Sequence, residues 1–222
     1  MIRKPIAAGA LCLAVAGTSY ASISVVSGPA LLVTDPNVMN YKAAPYDDPT
    51  ALVRYWTERA SYTLSQDLVI SIVPPVSYPT NVTSHANNND NFIAAGTSIE
   101  SYYLYFDPSG TKSVTTRFRT TNPILGLISN HRSSAANDHF MLSDYLIDPS
   151  VPAANIPTTH FGDRGLEMPT DNVIFHAANE IEVDWTASNP GDQMRIITAV
   201  PEPATMGALG IGLVALLRRR RG

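Results

Sequence analysis

Alternation constrains this chain most. Tyr102, Leu104 and Phe106 alternate with Ser101, Tyr103 and Tyr105, and Val114, Thr116 and Phe118 alternate with Thr115, Arg117 and Arg119. Successive side chains on a strand point to opposite faces, so both stretches read as strands. Between them lies Asp107-Pro108-Ser109-Gly110, whose residue types suit a type I turn. Residues 99–120 are therefore expected to form a hairpin. Ile181, Val183 and Trp185 share one side of a later strand, with Glu180, Glu182, Asp184 and Thr186 on the other. Further strands are expected at 22–26, 30–33, 67–73, 124–129, 172–176 and 193–199. Ile124-Leu125-Gly126-Leu127-Ile128 is apolar on both faces and reads as a central strand. Asn189-Pro190-Gly191-Asp192 reads as the turn joining the last two strands. Residues 50–58 fit either element. Asp48-Pro49 suits a helix start, whereas Val53, Tyr55, Trp56 and Thr57 favour a strand. One helix is expected, where Phe140, Met141, Leu142, Tyr145 and Leu146 recur at helical spacing. Ser134 or Asn137 could cap it, and Asp148-Pro149 stops it. The expected class is mainly β: an antiparallel, jelly-roll-like β-sandwich with one short α-helix.

The two ends follow different rules. Met1-Ile2-Arg3-Lys4 precedes an apolar run from Ile6 to Gly17, then Ser19-Tyr20-Ala21. A positive start, a short apolar stretch and small residues before a cleavage point make a secretory signal peptide. Cleavage by signal peptidase is expected after Ala21. At the other end, Val200-Pro201-Glu202-Pro203-Ala204 precedes an uncharged span, Thr205 to Leu217, and then Arg218, Arg219, Arg220 and Arg221. A helix over that span rises only ~20 Å, short of a ~30 Å hydrocarbon core. Its apolar residues surround the axis without a polar face, so it fits a weakly held membrane segment. The arginines then act as a cytoplasmic stop. The expected organisation is a signal peptide at 1–21, a β-sandwich core at 22–199 and a sorting signal at 200–222, with a signal helix and a hydrophobic helix flanking the core.

Removing the ends changes the charge. The 222 residues carry a formal net charge of −4, but 22–199 keeps 9 basic against 18 acidic residues. Such a core is a poor match for nucleic acid, which requires clustered Lys and Arg. The one cysteine, Cys12, falls in the leader, so the core has neither disulfides nor cysteine-ligated metal.

Pro201-Glu202-Pro203, the short apolar span and the arginine cluster, in that order, resemble the PEP-CTERM sorting signal. The resemblance implies that an exosortase, a membrane cysteine protease, recognises Pro201, Glu202 and Pro203. It would cleave there and release or transfer the protein, in bacteria that make extracellular polysaccharide. The core is also similar to a group of exported PEP-CTERM proteins. The likeness lies in Tyr102-Tyr103-Leu104-Tyr105-Phe106-Asp107-Pro108, Pro123 to Ile128, Arg164-Gly165-Leu166-Glu167 and Pro190 to Thr198. It implies a fold and no mechanism.

Candidate chemistry in the core is sparse. Tyr103 and Tyr105 share a face; exposed, they could stack on sugar rings, and buried, they would pack across strands. Glu180, Glu182 and Asp184 recur at ~6.6–7 Å along one strand face, a separation that suits glycoside hydrolysis or calcium as well as a solvated surface. If that strand lies beside 111–120, Arg117 and Arg119 neutralise the carboxylates. Asn87 to Asn91, with Asp90, could offer oxygen ligands to calcium but lacks EF-hand spacing. The five histidines form no helix-spaced metal pair, and Ser143-Asp144 near His139 lacks a nucleophile elbow. Arg164 is expected to pin its loop by pairing with Asp163 or Glu167. The leading expectation is an exported, exosortase-sorted protein of the cell surface or extracellular matrix. Its role would be structural or adhesive, through weak contact with extracellular polysaccharide, with no catalytic residue and no resident metal. The alternatives are a secreted carbohydrate-active enzyme using Glu182 and Asp184, and a calcium-dependent adhesin.

Overall fold

The computed structural model describes residues 22–43, 45–84, 91–130, 138–158 and 164–200. In chain order these form β1 (Ile23–Ser27), β2 (Ala30–Leu32), β3 (Val53–Thr63), β4 (Leu68–Val69), β5 (Thr80–Val82) and β6 (Phe92–Ile93). Then follow β7 (Ser98–Phe106), β8 (Lys112–Thr120), β9 (Ile124–Ile128), α1 (His139–Ser143), β10 (Asn172–Ala177), β11 (Glu180–Ala187) and β12 (Asp192–Ala199). One five-stranded sheet runs β1-β8-β11-β10-β5 and the other β2-β3-β7-β12-β9; β4 and β6 make a small third pair. Pairing is antiparallel except between β2 and β3. The sheets are open, not closed into a barrel, and share one apolar core.

That core is built by the alternation read from sequence. Tyr102, Leu104 and Phe106 of β7 meet Phe118 of β8 and Ile181, Val183 and Trp185 of β11. Ring pairs cross the gap, with Tyr55 against Phe118 at 5.5 Å and Phe106 against Trp185 at 6.2 Å. Burying each such side chain contributes about 1.5–3 kcal/mol.

The pairing of β7 and β8 differs from expectation. They are consecutive strands but belong to different sheets: β7 lies between β3 and β12, and β8 between β1 and β11. Asp107 to Gly110 is therefore a corner between layers, not a hairpin turn. Long-range bonds hold it. Asp107 Oδ2 accepts from Tyr46 N at 2.8 Å and Asp47 N at 3.0 Å, and Asp48 N donates to Asp107 O at 2.8 Å. Residues 188–191 likewise cross from β11 to β12. Gly191 is required there, because a Cβ would fall 2.2 Å from Phe106 O.

A second core covers the other face of the β3-β7-β12 sheet. Val33, Met39 and Tyr41 from the segment after β2 pack there with Phe140, Leu146, Ile147 and Val151, against Trp56, Tyr103, Tyr105 and Ile197. Every residue of β7 after Ser98 is consequently buried. The ambiguous segment resolves as β3, in keeping with its β-branched and aromatic residues. The expected strand at 67–73 forms regular pairing only as β4; Ser71 and Ile72 then bond Leu127. β9 stands at the end of its sheet rather than at the centre, although that bridge covers part of its free edge. Gly126 makes room there, since a Cβ would lie 2.6 Å from the Ile70 side chain. The expected helix is shorter: α1 ends at Ser143 and a 3-10 turn, Asp144–Leu146, continues it. Asp138 caps it, its Oδ1 accepting from Phe140 N at 2.8 Å and Met141 N at 3.1 Å, while Ser134 and Asn137 lie outside the described residues.

Candidate functional site

The second core contains a charged network. Arg195 sits on β12 between apolar neighbours and is fully buried. Its Nε donates to Glu58 Oε2 at 3.0 Å, its Nη1 to Ser143 Oγ at 2.7 Å and Phe140 O at 3.2 Å, and its Nη2 to Asp144 Oδ1 at 2.9 Å. Arg164 grips the same carboxylate in a bidentate fork, both bonds 2.8 Å, and donates from Nε to Gln193 Oε1 at 2.9 Å. Burial pushes the Asp144 carboxyl up, but Arg195 and Arg164 outweigh burial and hold it below the usual range. The guanidinium of Arg164 lies 4.8 Å over Phe140 and that of Arg195 4.9 Å over Tyr103.

This geometry corrects one expectation and extends another. Arg164 pins its loop through Asp144, twenty residues away, and Asp163 lies outside the described residues. Tyr103 and Tyr105 share a face as expected, yet that face is not open to sugars. Both side chains are fully buried. The Tyr103 hydroxyl bonds Gln193 Oε1, and Tyr105 donates to Lys42 O at 2.7 Å. Burial raises the Tyr103 hydroxyl to about 12, against the opposing pull of Arg164 and Arg195. The missing information was the layer laid over the sheet by residues remote in sequence.

The carboxylate strand lies beside β8 as expected. Glu180 pairs in register with Arg119 and Glu182 with Arg117. Glu180 accepts from Arg119 Nε at 2.6 Å and forms an ion pair with Arg117. Burial raises the Glu180 carboxyl, and the two arginines more than reverse it. Asp184 accepts from Thr115 Oγ1 at 2.6 Å, and Glu182 lies 3.5 Å from His176 Nε2. The three acids thus have different partners and form no shared pair.

Ser143 does not act with His139 as a nucleophile would: its hydroxyl donates to His139 O at 2.6 Å and accepts from Arg195. His139 Nδ1 instead meets Ser71 Oγ at 2.9 Å, and Ser71 Oγ also accepts from Ser129 N and Asn130 N, each at 3.1 Å. Ser71 and His139 are wholly buried, so the group ties the 70–72 segment to α1.

One acidic cluster was not anticipated. Glu167, Asp171 and Asp192 each bring a carboxylate oxygen within 4.8 Å of the others. Asp171 precedes β10 in one sheet, and Asp192 opens β12 in the other. Asp171 accepts from Glu167 N at 2.6 Å and Thr186 N at 2.7 Å. Burial raises the Asp171 carboxyl, less the effect of those two amides. Burial, then the charges of Asp171 and Glu167, push Asp192 up to about 10. The surface also carries a shallow depression lined by Ile70, Val73, Phe92 and Leu125.

The sorting residues Pro201, Glu202, Pro203 and Arg218 to Arg221, the cleavage residue Ala21 and Asn87 to Asp90 lie outside the described residues. Among the described residues no helix is long and apolar enough to cross a membrane. Backbone bonds hold the residues just before Pro201: Ala199 N donates to Pro123 O at 3.1 Å and Val200 N to Ser98 O at 3.2 Å.

Residues 199–221 match the PEP-CTERM protein-sorting motif. No curated protein and no solved structure matches the chain. The motif marks the chain as an exported substrate of an exosortase, with a C-terminal anchor segment that the exosortase processes.

Proposed function

We propose that the chain is a structural protein of the cell surface or extracellular polymer, delivered by an exosortase and holding its core next to the processing point. The observation that carries this reading is the junction at Ala199–Val200. The last strand of the core runs into the matched motif without a linker. A processed chain would therefore be held, or released, as a rigid body.

A passive or adhesive role is favoured over catalysis by what the polar groups do. The buried arginines, acids and tyrosines of the second core bond one another rather than line an opening. Glu180, Glu182 and Asp184 lie on a sheet face with separate partners. Glycan contact, if made, belongs to a surface other than the Tyr103–Tyr105 face.

The test replaces Pro201-Glu202-Pro203 by alanines in the native host. The unaltered chain is expected to lose its tail and leave the membrane fraction, and the variant to keep both. A variant with normal mature mass and location would overturn the reading.

A further inference from the structure

Glu167, Asp171 and Asp192 stand where the two sheets meet at one end of the core. The facing of each follows from strand parity. Met194 and Ile196 of β12 point into the inter-sheet core, so Asp192, two residues earlier, points the same way. Val173 and Phe175 of β10 also point inward, which places Asp171 on that side of the opposite sheet. Two carboxylates from different sheets therefore converge in the gap. Glu167 closes the group from the solvent side, being exposed while the other two are buried.

Three acids so close repel one another unless something positive lies between them. Burial, the charges of Asp171 and Glu167 and a side-chain hydrogen bond with Glu167 all act on Asp192 against its charge, and among the described residues no cationic side chain acts on it. Asp192 is 1% exposed, and its Oδ2 has no hydrogen-bond partner among the described residues. A buried, unpartnered carboxylate oxygen is costly in a fold that satisfies its polar groups elsewhere. Asp171 is held in place by two backbone amides, so its carboxylate is already oriented. Each of its oxygens still has a lone pair to offer.

The donor set is all oxygen, the choice of hard cations. Calcium takes ligands at about 2.3–2.6 Å, so oxygens on opposite sides of one ion stand up to about 5 Å apart. Three oxygens mutually within 4.8 Å can share it. We propose that Glu167, Asp171 and Asp192 form a calcium site that ties the two sheets together at this end of the core. Water entering beside Glu167 would complete a shell of about 6–8 ligands. The site uses none of the residues Asn87 to Asn91 and does not depend on the sorting reading.

The test uses the full chain in detergent, stripped with chelator and melted across calcium concentrations to about 10 mM, which spans the ~0.1–1 mM range of extracellular calcium modules. Potassium chloride at matched ionic strength controls for screening. The melting temperature is expected to climb and saturate with calcium alone. Glu167→Gln should shift the midpoint at least about tenfold, and calorimetry should count one ion per chain. Asp192→Asn should melt no lower than the unaltered chain in chelator, and lower in calcium. A flat response, an equal rise with potassium, or the same calcium midpoint in Glu167→Gln would overturn the proposal. Glu167 is exposed on a loop, so its variant decides the matter even if Asp192→Asn does not fold.

Discussion

Replacing Arg195 by Met tests the idea that the second core is organised by charge. Met fills most of the same volume, so the cavity term is small. The electrostatic term is not small. Glu58, whose side chain is as fully buried as that of Arg195, loses the Nε bonds at 3.1 and 3.0 Å and keeps the Ser101 hydroxyl at 2.5 Å. Ser143 Oγ loses its Arg195 donor as well, while Phe140 O keeps the Ser143 hydroxyl at 3.0 Å. Asp144 retains the Arg164 fork. Breaking a buried pair from one side costs about 3–5 kcal/mol. Total stability of a domain is about 5–15 kcal/mol, so the loss is a large fraction of it. Urea unfolding followed by tryptophan fluorescence reads it directly, since Trp56 and Trp185 are buried in the two cores. Adding Glu58→Gln to Arg195→Met removes the stranded charge and should recover at least about 1 kcal/mol. A loss under about 1 kcal/mol for Arg195→Met, with additive behaviour in the double variant, would refute the reasoning.

Two further outcomes are expected. Tyr103→Ala should lower stability by about 3–5 kcal/mol in the same urea assay, because it opens a cavity under Trp56 and Phe140. Were the change instead neutral to folding, the burial of that face would be wrong. The Asp144 carboxyl lies below its ordinary value of 3.8 in the fold, because Arg195 and Arg164 overcome the effect of burial. A depressed carboxyl stabilises the fold above its unfolded value, and that share is lost as pH falls through the folded one. Asp144→Asn should therefore cost stability near neutrality and flatten the decline below about pH 4, measured as urea midpoints across pH.

The strands were legible because their side-chain period is local. β7, β8 and β11 lie where alternation put them, and Arg117 and Arg119 face Glu182 and Glu180 as their spacing suggested. Partnership was not legible. Asp107 to Gly110 has the composition of a turn, but composition does not say whether the chain turns within a sheet or between sheets. That was decided by β3 and β12, which occupy both edges of β7 and are far from it in sequence. The same distance hid the burial of Tyr103 and Tyr105. Half of β7 looked wet because nothing near it in sequence could cover it.

The residues that reasoning from spacing missed have one property in common: each is a charge inside an apolar setting. Arg195 stands among Met194, Ile196 and Ile197, and Glu58 follows Trp56 on the face that alternation assigns to the interior. A charge there needs a partner: Arg195 and Glu58, on strands of the same sheet, find one in each other, and Arg195 finds a second in Asp144 of the covering layer. Asp192 stands in the same kind of place at the mouth of β12 but meets two acids instead of a base. The fold thus answers the same physical demand twice with its own arginines, and the proposed calcium would answer it at the third position. That contrast is why the calcium proposal rests on the acidic cluster rather than on the strand face of Glu180, Glu182 and Asp184. On that face Glu180 already has its counter-charge in Arg117 and Arg119.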